Sequence, residues 1–323
     1  MKRIRITRSP LENNKIRKQV HLSHFIEILP HEIIIQILGL LTRMDLIALS
    51  QASRALRRVF MPYLLAHVKI SWKDLVANWA QYRTLVPIDS THLIESVRLI
   101  NCCSKNEWTF PFADLFSSVK LPNLKSLEFP TSGSTSYLKY SSMGSHLVTL
   151  KVCSKKPGSV FSLEHVKPFD SLKQLTLQDY EIQAFEENTE WCPYLSVLEL
   201  IDCSWCYPFQ LENFGHKKIT KLKLDYSSAF IISERFKMFL NNPNFDNLNH
   251  LEITNSASNL KLTLSVHIMR LIESIPALKT LKLEGNVYNE TLQNFTSSDL
   301  DNCLKFVALN DVKVFYSTFI PKL

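Results

Sequence analysis

The sequence predicts an α/β protein in which a short all-α segment is followed by a solenoid of stacked, strand-containing repeats. Two observations lead to this fold class. Apolar residues at helical spacing fill residues 25–65, and the motif Leu-x-x-Leu-x-Leu, with other apolar residues allowed at the Leu positions, occurs nine times between residues 94 and 309. The two patterns have periods of about 3.6 and about 2 residues, so they predict helices and strands respectively.

Residues 1–24 form a basic arm that we expect to be disordered. Residues 1–20 carry seven Lys and Arg side chains against Glu12 alone, so +6 of the formal net charge of +7 lies there. The other 303 residues carry only +1, which argues against nucleic-acid binding by the body of the protein. Three interpretations of the arm stay open: a solvated arm without a function of its own, a nuclear localisation signal, and a weak contact with phosphate groups.

No targeting segment is apparent. Polar residues interrupt the stretch after the basic start, so it does not resemble a signal peptide, and the densest apolar run, residues 33–41, is too short to span a membrane. Seven cysteines, an odd number, suit reduced thiols better than a disulfide framework. We therefore expect a cytoplasmic or nuclear protein without a membrane partner.

The all-α segment is predicted to contain three helices. Pro30 suits a first helical position because its missing N–H would be unpaired there, and the helix dipole favours Glu32 in the first turn. A second helix is predicted to start near Asp45, which can cap it, and a third short segment follows Arg57. Residues 33–41 are apolar around almost the whole first helix, which is more than three short helices can bury by themselves.

At these residues, 25–65, the chain resembles the F-box family. The family pattern is Leu-Pro-x-Glu followed by apolar positions, then Asp-Leu, and later a Ser with a basic residue. Ten positions agree with the pattern in register: Leu29, Pro30, Glu32, Ile33, Ile37, Leu41, Asp45, Leu46, Ser53 and Arg54. Arg43 stands where the loop usually has Pro, and Leu56 stands where an aromatic residue is common. The alternative interpretation is a generic helical hairpin that begins with Leu-Pro.

Residues 66–91 are predicted to link the helices to the repeats and to cap them. His67–Ser71 alternates in polarity like a short strand, and Trp72–Tyr82 has apolar residues at helical spacing. The apolar side of this helix is predicted to consist of Trp72, Leu75, Val76 and Trp79.

Residues 92–323 are predicted to form an array of about nine repeats. The first apolar position of the motif recurs every 23 to 30 residues, at Ile94, Leu124, Leu147, Leu172, Leu195, Ile219, Leu248, Leu278 and Leu304. The second and third apolar positions of each copy point to one face of a strand. One strand cannot bury that pair alone, so each repeat is expected to stack on the next and share one core.

This spacing resembles leucine-rich repeats. That family often places a small polar residue or Cys three positions after the last strand position, where it hydrogen-bonds the turn backbone. Six of the nine copies have Cys, Ser or Asn there, whereas Lys155, Tyr180 and Val312 depart and predict remodelled turns. The resemblance implies a curved parallel sheet on the concave side and helices or irregular segments on the convex side. Helical patterns on that side occur at residues 112–119, 233–240 and 266–275.

Nothing in the sequence predicts an enzyme. The six glycines never lie close together, so phosphate-binding loops and dinucleotide fingerprints are absent from the sequence. Cys203 and Cys206 form its one C-x-x-C pair, and no second ligand pair follows at zinc spacing. The repeat turn already accounts for Cys203, so we predict no metal and no cofactor.

A repeat array predicts binding, and one row of side chains is the candidate surface. Each strand places one residue between its two buried positions, and neighbouring strands bring these residues side by side. The charged members, whose signs nearly alternate, are Arg98, Glu128, Lys151, Glu199, Lys223, Glu252 and Lys282. Thr176 and Ala308 complete the row. Mutual pairing explains the row equally well without a ligand, and a partner that fits mixed signs is a protein rather than a nucleic acid.

Together the two resemblances imply the substrate-recognition subunit of an SCF-type ubiquitin ligase. The F-box would dock on the Skp-type adaptor, and through it on a cullin-RING ligase, while the repeats would hold a target protein. The apolar anchors would be Leu29, Pro30, Ile33, Ile37, Leu41, Leu46 and Leu49. Two other functions stay open: a scaffold that uses the adaptor without ubiquitylation, and a repeat-based binding module whose basic tail contacts nucleic acid.

Overall fold

The computed structural model of the chain describes residues 28–82, 90–100, 121–131, 135–140, 145–156, 158–183, 192–205, 218–225, 245–254, 272, 274–284 and 313–316. The chain divides into two units. The first comprises Met1–Val68 with Leu93–Glu95, and the second comprises Lys69–His92 with Ser96–Leu323. Helices precede a mostly parallel sheet in chain order, so the architecture is mixed α/β.

Three α-helices follow one another at the start of the described chain: α1 (His31–Leu40), α2 (Arg43–Ala52) and α3 (Arg54–Ala66). Pro30 precedes the first residue of α1 rather than forming it, and Glu32 lies in the first turn as expected. The Arg57 Nε atom donates a hydrogen bond of 3.1 Å to the Ser50 carbonyl, which ties the end of α2 to α3.

The predicted start of α2 near Asp45 is wrong by two residues, because the residue that caps the helix is Thr42. Thr42 Oγ1 accepts a hydrogen bond from the Asp45 N–H at 3.3 Å, and the Asp45 carboxylate accepts one from the Thr42 N–H at 2.9 Å. This reciprocal pair is a capping box, in which the acidic residue lies at the third helical position. Asp45 therefore supports the cap instead of being the cap.

The predicted third segment also starts earlier than expected. Ser53 Oγ accepts a hydrogen bond of 3.1 Å from the Leu56 N–H, so α3 begins directly after Ser53 rather than after Arg57. The helix has 13 residues and continues through Pro62, which makes it the longest of the three. A capping serine directly after α2 leaves only a single residue between the two helices.

The strand β1 (His67–Ser71) and the helix α4 (Trp72–Tyr82) have the bounds that the polarity pattern predicted. The buried side chains of α4 are Trp72, Leu75 and Trp79. Val76 is 38% exposed, so its assignment to the apolar side is wrong. One residue turns a helix by about 100°, which moves Val76 away from the side that Leu75 occupies.

Twelve further strands follow among the described residues. They are β2 (Ser96–Ile100), β3 (Ser126–Thr131), β4 (Thr149–Ser154), β5 (Ser159–Ser162), β6 (Gln174–Gln178), β7 (Tyr180–Gln183), β8 (Val197–Ile201), β9 (Ser204–Trp205), β10 (Lys221–Asp225), β11 (His250–Thr254), β12 (Thr280–Glu284) and β13 (Lys313–Tyr316). The main sheet has the order β1-β2-β3-β4-β6-β8-β10-β11-β12-β13. Neighbours from β2 to β13 are parallel, and the strands from β2 to β12 coincide with eight of the nine copies of the motif.

The apolar pairs of the motif lie on one face of the main sheet and in register with one another. Leu175 and Leu177 of β6 are fully buried, and their register partners on β8 are Leu198 and Leu200. Each complete pair whose burial is described is at most 4% exposed. The strands therefore share one continuous apolar layer, as the period of the motif predicted.

A shared carbonyl marks each step from one strand to the next. The Lys173 carbonyl accepts hydrogen bonds from the N–H groups of Ser196 and Val197, at 2.9 and 3.0 Å. The same arrangement occurs between every pair of neighbours in the main sheet from β3 to β12. These bonds lie at the N-terminal ends of the strands, so they set the register before each strand begins.

Three short strands form a second parallel sheet, in the order β5-β7-β9, which the sequence analysis did not predict. Tyr180, one of the three departures from the turn pattern, begins β7, and its ring packs edge-on against Phe161 at 5.3 Å between centroids. Among the described residues between β3 and β6, short 3-10 helices also occur at Ser136–Tyr140 and Leu163–Val166. The helices expected at residues 112–119 and 233–240 lie outside the described residues, as does most of 266–275.

Cys203 has the turn role that the sequence predicted. Its Sγ atom donates hydrogen bonds to the carbonyls of Leu177 and Ile201, at 3.3 and 3.4 Å. Burial raises the pKa of the Cys203 thiol to about 12, so the side chain stays protonated and can donate. Cys206 lies outside the described residues, as do six of the nine predicted turn positions.

The end of the main sheet differs from the prediction. The register of β12 and β13 places Phe315, and not Ala308, opposite Lys282. The predicted ninth copy of the motif, from Leu304 to Leu309, lies outside the described residues. The strand that pairs with β12 has the sequence Lys-Val-Phe-Tyr, which is rich in the β-branched and aromatic residues that favour strands without following the Leu spacing.

Truncation of the shared apolar layer should destabilise the protein strongly. We expect Leu175→Ala to lower the free energy of unfolding by about 2–5 kcal/mol, because it leaves a cavity between two neighbouring strands. Gln174→Ala, one residue away on the other face of β6, should change it by less than about 0.5 kcal/mol. Urea unfolding of both variants measures the difference, and similar losses in the two would contradict the assignment of the faces.

Candidate functional site

The helix α1 exposes an unusual amount of hydrocarbon. None of its residues is buried, although seven of the ten are Ile, Leu or Gly. Ile33 and Leu40 are 39% and 86% exposed, and Met44 at the start of α2 is 72% exposed. Single exposed apolar side chains are ordinary, but a run of them on one helical segment is typical of a surface that another protein covers.

The structure places the predicted anchors on α1, on the residues that flank it and on α2. Pro30 and Ile33 are exposed. The other predicted anchors are half-buried, namely Leu29, Ile37, Leu41, Leu46 and Leu49. Half-burial is consistent with residues that both support the helices and remain accessible from outside.

Four exposed apolar residues of the same segment were not among the predicted anchors: Ile28, Ile35, Leu40 and Met44. The signal for Ile35 and Leu40 was present, because residues 33–41 are apolar around almost the whole helix. Matching to the family pattern selected only the positions that fit its spacing. We name the set of exposed residues Ile28, Pro30, Ile33, Ile35, Leu40 and Met44 the apolar surface.

Two polar contacts hold the helices that carry the apolar surface. The Thr42 hydroxyl donates a hydrogen bond of 2.7 Å to the Asp45 carboxylate, and this bond, with that of the Thr42 N–H, lowers the pKa of Asp45. The rings of His31 and Tyr63 stack, with the Tyr63 hydroxyl 3.3 Å from His31 Nδ1 in a hydrogen bond. The first contact fixes the turn between α1 and α2, and the second ties α1 to α3.

The second candidate surface is the outer face of the main sheet, opposite the buried apolar layer. In the part formed by β2, β3 and β4, Glu128 forms ion pairs with both register neighbours. Its Oε2 atom lies 3.2 Å from Arg98 Nε, and its Oε1 atom lies 3.3 Å from Lys151 Nζ. The three charges in this part of the row are therefore paired with one another within the sheet.

The middle of the row is bridged by a neutral residue. Thr176 Oγ1 donates a hydrogen bond of 3.0 Å to the Glu199 carboxylate on the neighbouring strand β8. Thr176 interrupts the alternation of signs, and the row continues with Lys223 on β10.

The last part of the row centres on Glu252 of β11. Its Oε1 atom accepts a hydrogen bond of 2.9 Å from Lys282 Nζ and lies 3.8 Å from Lys223 Nζ. Its Oε2 atom lies 3.8 Å from His250 Nε2, which is too far for a hydrogen bond. Only 10% of the Glu252 side chain is exposed, so the two lysines contact a mostly buried carboxylate.

Burial opposes ionisation of Glu252, but the hydrogen bond from Lys282 and the charges of Lys223, Lys282 and Lys221 outweigh it and lower the pKa of the carboxyl. Burial lowers the pKa of His250, and the charge of Lys221 lowers it further. Glu252 therefore stays ionised near neutral pH, while His250 is mostly uncharged there.

The described cysteines are thiols rather than disulfides. Cys153, Cys192 and Cys203 form no disulfide, and Cys192 Sγ donates a hydrogen bond of 3.2 Å to the Val166 carbonyl. Burial raises the pKa of Cys192 beyond its ordinary range. Within the described residues, no three His, Cys, Asp or Glu side chains converge as metal ligands, and none of the described helices has the length and hydropathy to cross a membrane.

The comparisons with known proteins concern the helical part of the chain. Residues 26–71 match the family model described as F-box-like. The matched stretch covers α1, α2, α3 and β1, so it includes the whole apolar surface. No curated protein matches the chain.

The stability of the protein should depend on pH through Glu252. Because folding lowers the pKa of this carboxyl from its ordinary 4.5, its contribution is complete above that value and is lost as the pH falls through the folded pKa. Glu252→Gln should therefore weaken the loss of stability that urea unfolding detects between about pH 5 and about pH 3.

The matched control is Glu164→Gln, which removes a carboxyl that forms no ion pair among the described residues. An acid-induced loss of stability that is as steep in Glu252→Gln as in the control would contradict the role of Glu252.

Proposed function

We propose that this protein is the substrate-recognition subunit of an SCF-type ubiquitin ligase. The observation that carries the proposal is the coincidence of the F-box-like match with the apolar surface. An F-box-like domain suggests an adaptor-binding role in SCF-type complexes. The proposal assigns the apolar surface to the Skp-type adaptor and, through it, to a cullin-RING ligase.

The energetics of docking favour the helical segment as the contact. Full burial of one Ile or Leu side chain contributes about 1.5–3 kcal/mol, so a few such residues supply most of a specific interface. Leu40 and Met44 lie on either side of Thr42, which caps α2 at the turn between α1 and α2. In this proposal they join Ile33 and the half-buried anchors as contacts with the adaptor.

We further propose that the main sheet belongs to a leucine-rich-repeat solenoid that binds the target protein. Three observations support this: each of eight motif copies provides one parallel strand, the apolar pairs are stacked in register, and a shared carbonyl repeats at each step from β3 to β12. The row from Arg98 to Lys282 is the proposed contact surface. Many charged side chains of this row form ion pairs with one another, so the binding energy must come from side chains that lack such a partner.

In the proposed function, the protein catalyses no reaction itself. By holding the target and the ligase on one chain, it raises the effective concentration of the lysines of the target near a charged conjugating enzyme. Such a role requires residence in the cytoplasm or the nucleus, where the ubiquitin system acts. A scaffold that binds the adaptor without ubiquitylation differs from this proposal only in the fate of the bound protein.

A single charge on the apolar surface should abolish adaptor binding. We expect Ile33→Asp to weaken the affinity for a purified Skp-type adaptor by about a hundredfold or more, because a carboxylate would be buried without a partner. Position 33 lies in the first turn of α1, where the helix dipole tolerates an acidic residue, so the fold should persist.

The matched control is Val160→Asp, which places the same charge on an apolar residue of β5 that is exposed to a similar degree. Isothermal titration calorimetry compares both variants with the unmodified chain. Equal affinities of Ile33→Asp and Val160→Asp would count against the proposed docking surface.

A further inference from the structure

At the first and third positions of β10, β11 and β12, the outer face carries three lysines and one carboxylate, whereas Asp225 and Glu284 occupy the fifth positions of β10 and β12. We name the set of Lys221, Lys223, His250, Glu252 and Lys282 the cationic patch. Three lysines face one carboxylate, so the patch has a charge of +2 with His250 neutral. The register brings the five residues together: Lys221 is opposite His250, Lys223 is opposite Glu252, and Glu252 is opposite Lys282.

Glu252 holds two of the three lysines in place. The ammonium groups of Lys223 and Lys282 contact the same atom, Oε1, at 3.8 and 2.9 Å. Without that carboxylate the two like charges would repel each other, so Glu252 acts as their internal counter-ion. Both lysines keep part of their side chains exposed, at 29% and 39%, and remain accessible from the outer face.

Lys221 is the cation that the pairing leaves over. Within the residues that the structure describes, its ammonium group lies within ion-pair distance of no carboxylate. Its charge acts on both Glu252 and His250, which places it beside the other members of the patch. In the β2–β4 part of the sheet, the corresponding positions hold the neutral residues Ser96, Ser126 and Thr149.

We propose that the cationic patch binds an acidic segment of the target protein, rich in Asp and Glu. This inference rests on the proposed function and specifies the chemistry of the target. Lys221 and Lys282 lie two strands apart and two residues out of register, so a segment with several carboxylates can contact the patch at both ends. A new anion beside Lys221 satisfies the cation that has no partner in the sheet.

The surroundings of the patch restrict the length of the anion. Glu199 lies opposite Lys223 on the neighbouring strand β8, and Asp225 ends β10. These carboxylates repel a long polyanion that runs across the sheet, so a short acidic segment fits and a nucleic acid does not.

Fluorescence anisotropy of the full chain with a labelled ten-residue glutamate-rich peptide tests the proposal. We expect saturable binding that weakens as salt is added, and a loss of affinity of at least about fivefold in Lys221→Glu. Lys221→Arg should retain the affinity. If Lys221→Glu fails to fold, Lys221→Gln replaces it, with a smaller loss of affinity expected.

The matched control is Lys167→Glu, which makes the same charge change at an exposed lysine outside the main sheet. Equal binding by Lys221→Glu and Lys167→Glu would overturn the location of the site. Tighter binding of a phosphoserine peptide of equal charge, or of a single-stranded oligonucleotide, would overturn the carboxylate-rich occupant, and so would the absence of peptide binding.

Adaptor binding, measured on the same samples, separates this inference from the proposed function. A chain that binds the adaptor but not the peptide contradicts the cationic patch alone. A chain that binds the peptide but not the adaptor contradicts the ligase proposal and leaves the patch as an acidic-peptide site of another kind of protein.

Discussion

The structure depends on one constraint: a strand with two buried apolar positions cannot bury them alone. Leu175 and Leu177 are buried in one layer with the apolar pairs of β4 and β8, which flank β6 in the same register. The carbonyl that accepts two N–H groups at each step enforces this register from β3 to β12. Sheet order, core and outer face all follow from repeating that step.

The same constraint decides what the outer face can carry. A fixed register places the middle residue of each strand beside the middle residues of both neighbouring strands. If these residues all had the same charge, they would repel one another along the whole sheet. Glu128 and Glu252 each satisfy two flanking cations, and Thr176 bridges to Glu199 where the alternation breaks. The charge that remains on such a face is small and local, and the cationic patch is one place where it remains.

The sequence predicted best those elements whose type and bounds depend only on their own residues. His67–Ser71 and Trp72–Tyr82 were predicted to the residue, because their periods are clean and the change from one to the other is abrupt. The start of α2 was predicted wrongly because Thr42 and Asp45 can both cap a helix, and only their reciprocal bonding distinguishes them. The strands β5, β7 and β9 have only two to four residues, too few for their own sequence to predict a strand; their pairing comes from the stacking of neighbouring units. For the candidate sites, spacing identified Ile33 and Glu252, whereas the exposure of Leu40 and the missing partner of Lys221 depend on neighbours distant in sequence.

The central claim is that the helices of residues 31–66 present an apolar surface to an adaptor. A tagged pull-down from cells, quantified by mass spectrometry beside a Leu29→Ala/Pro30→Ala double variant, tests it most directly. The account predicts that the unmodified chain recovers the Skp-type adaptor and a cullin, and that the variant loses both while keeping the proteins bound to the sheet. If neither chain recovers the adaptor although the variant folds normally, the claim is contradicted.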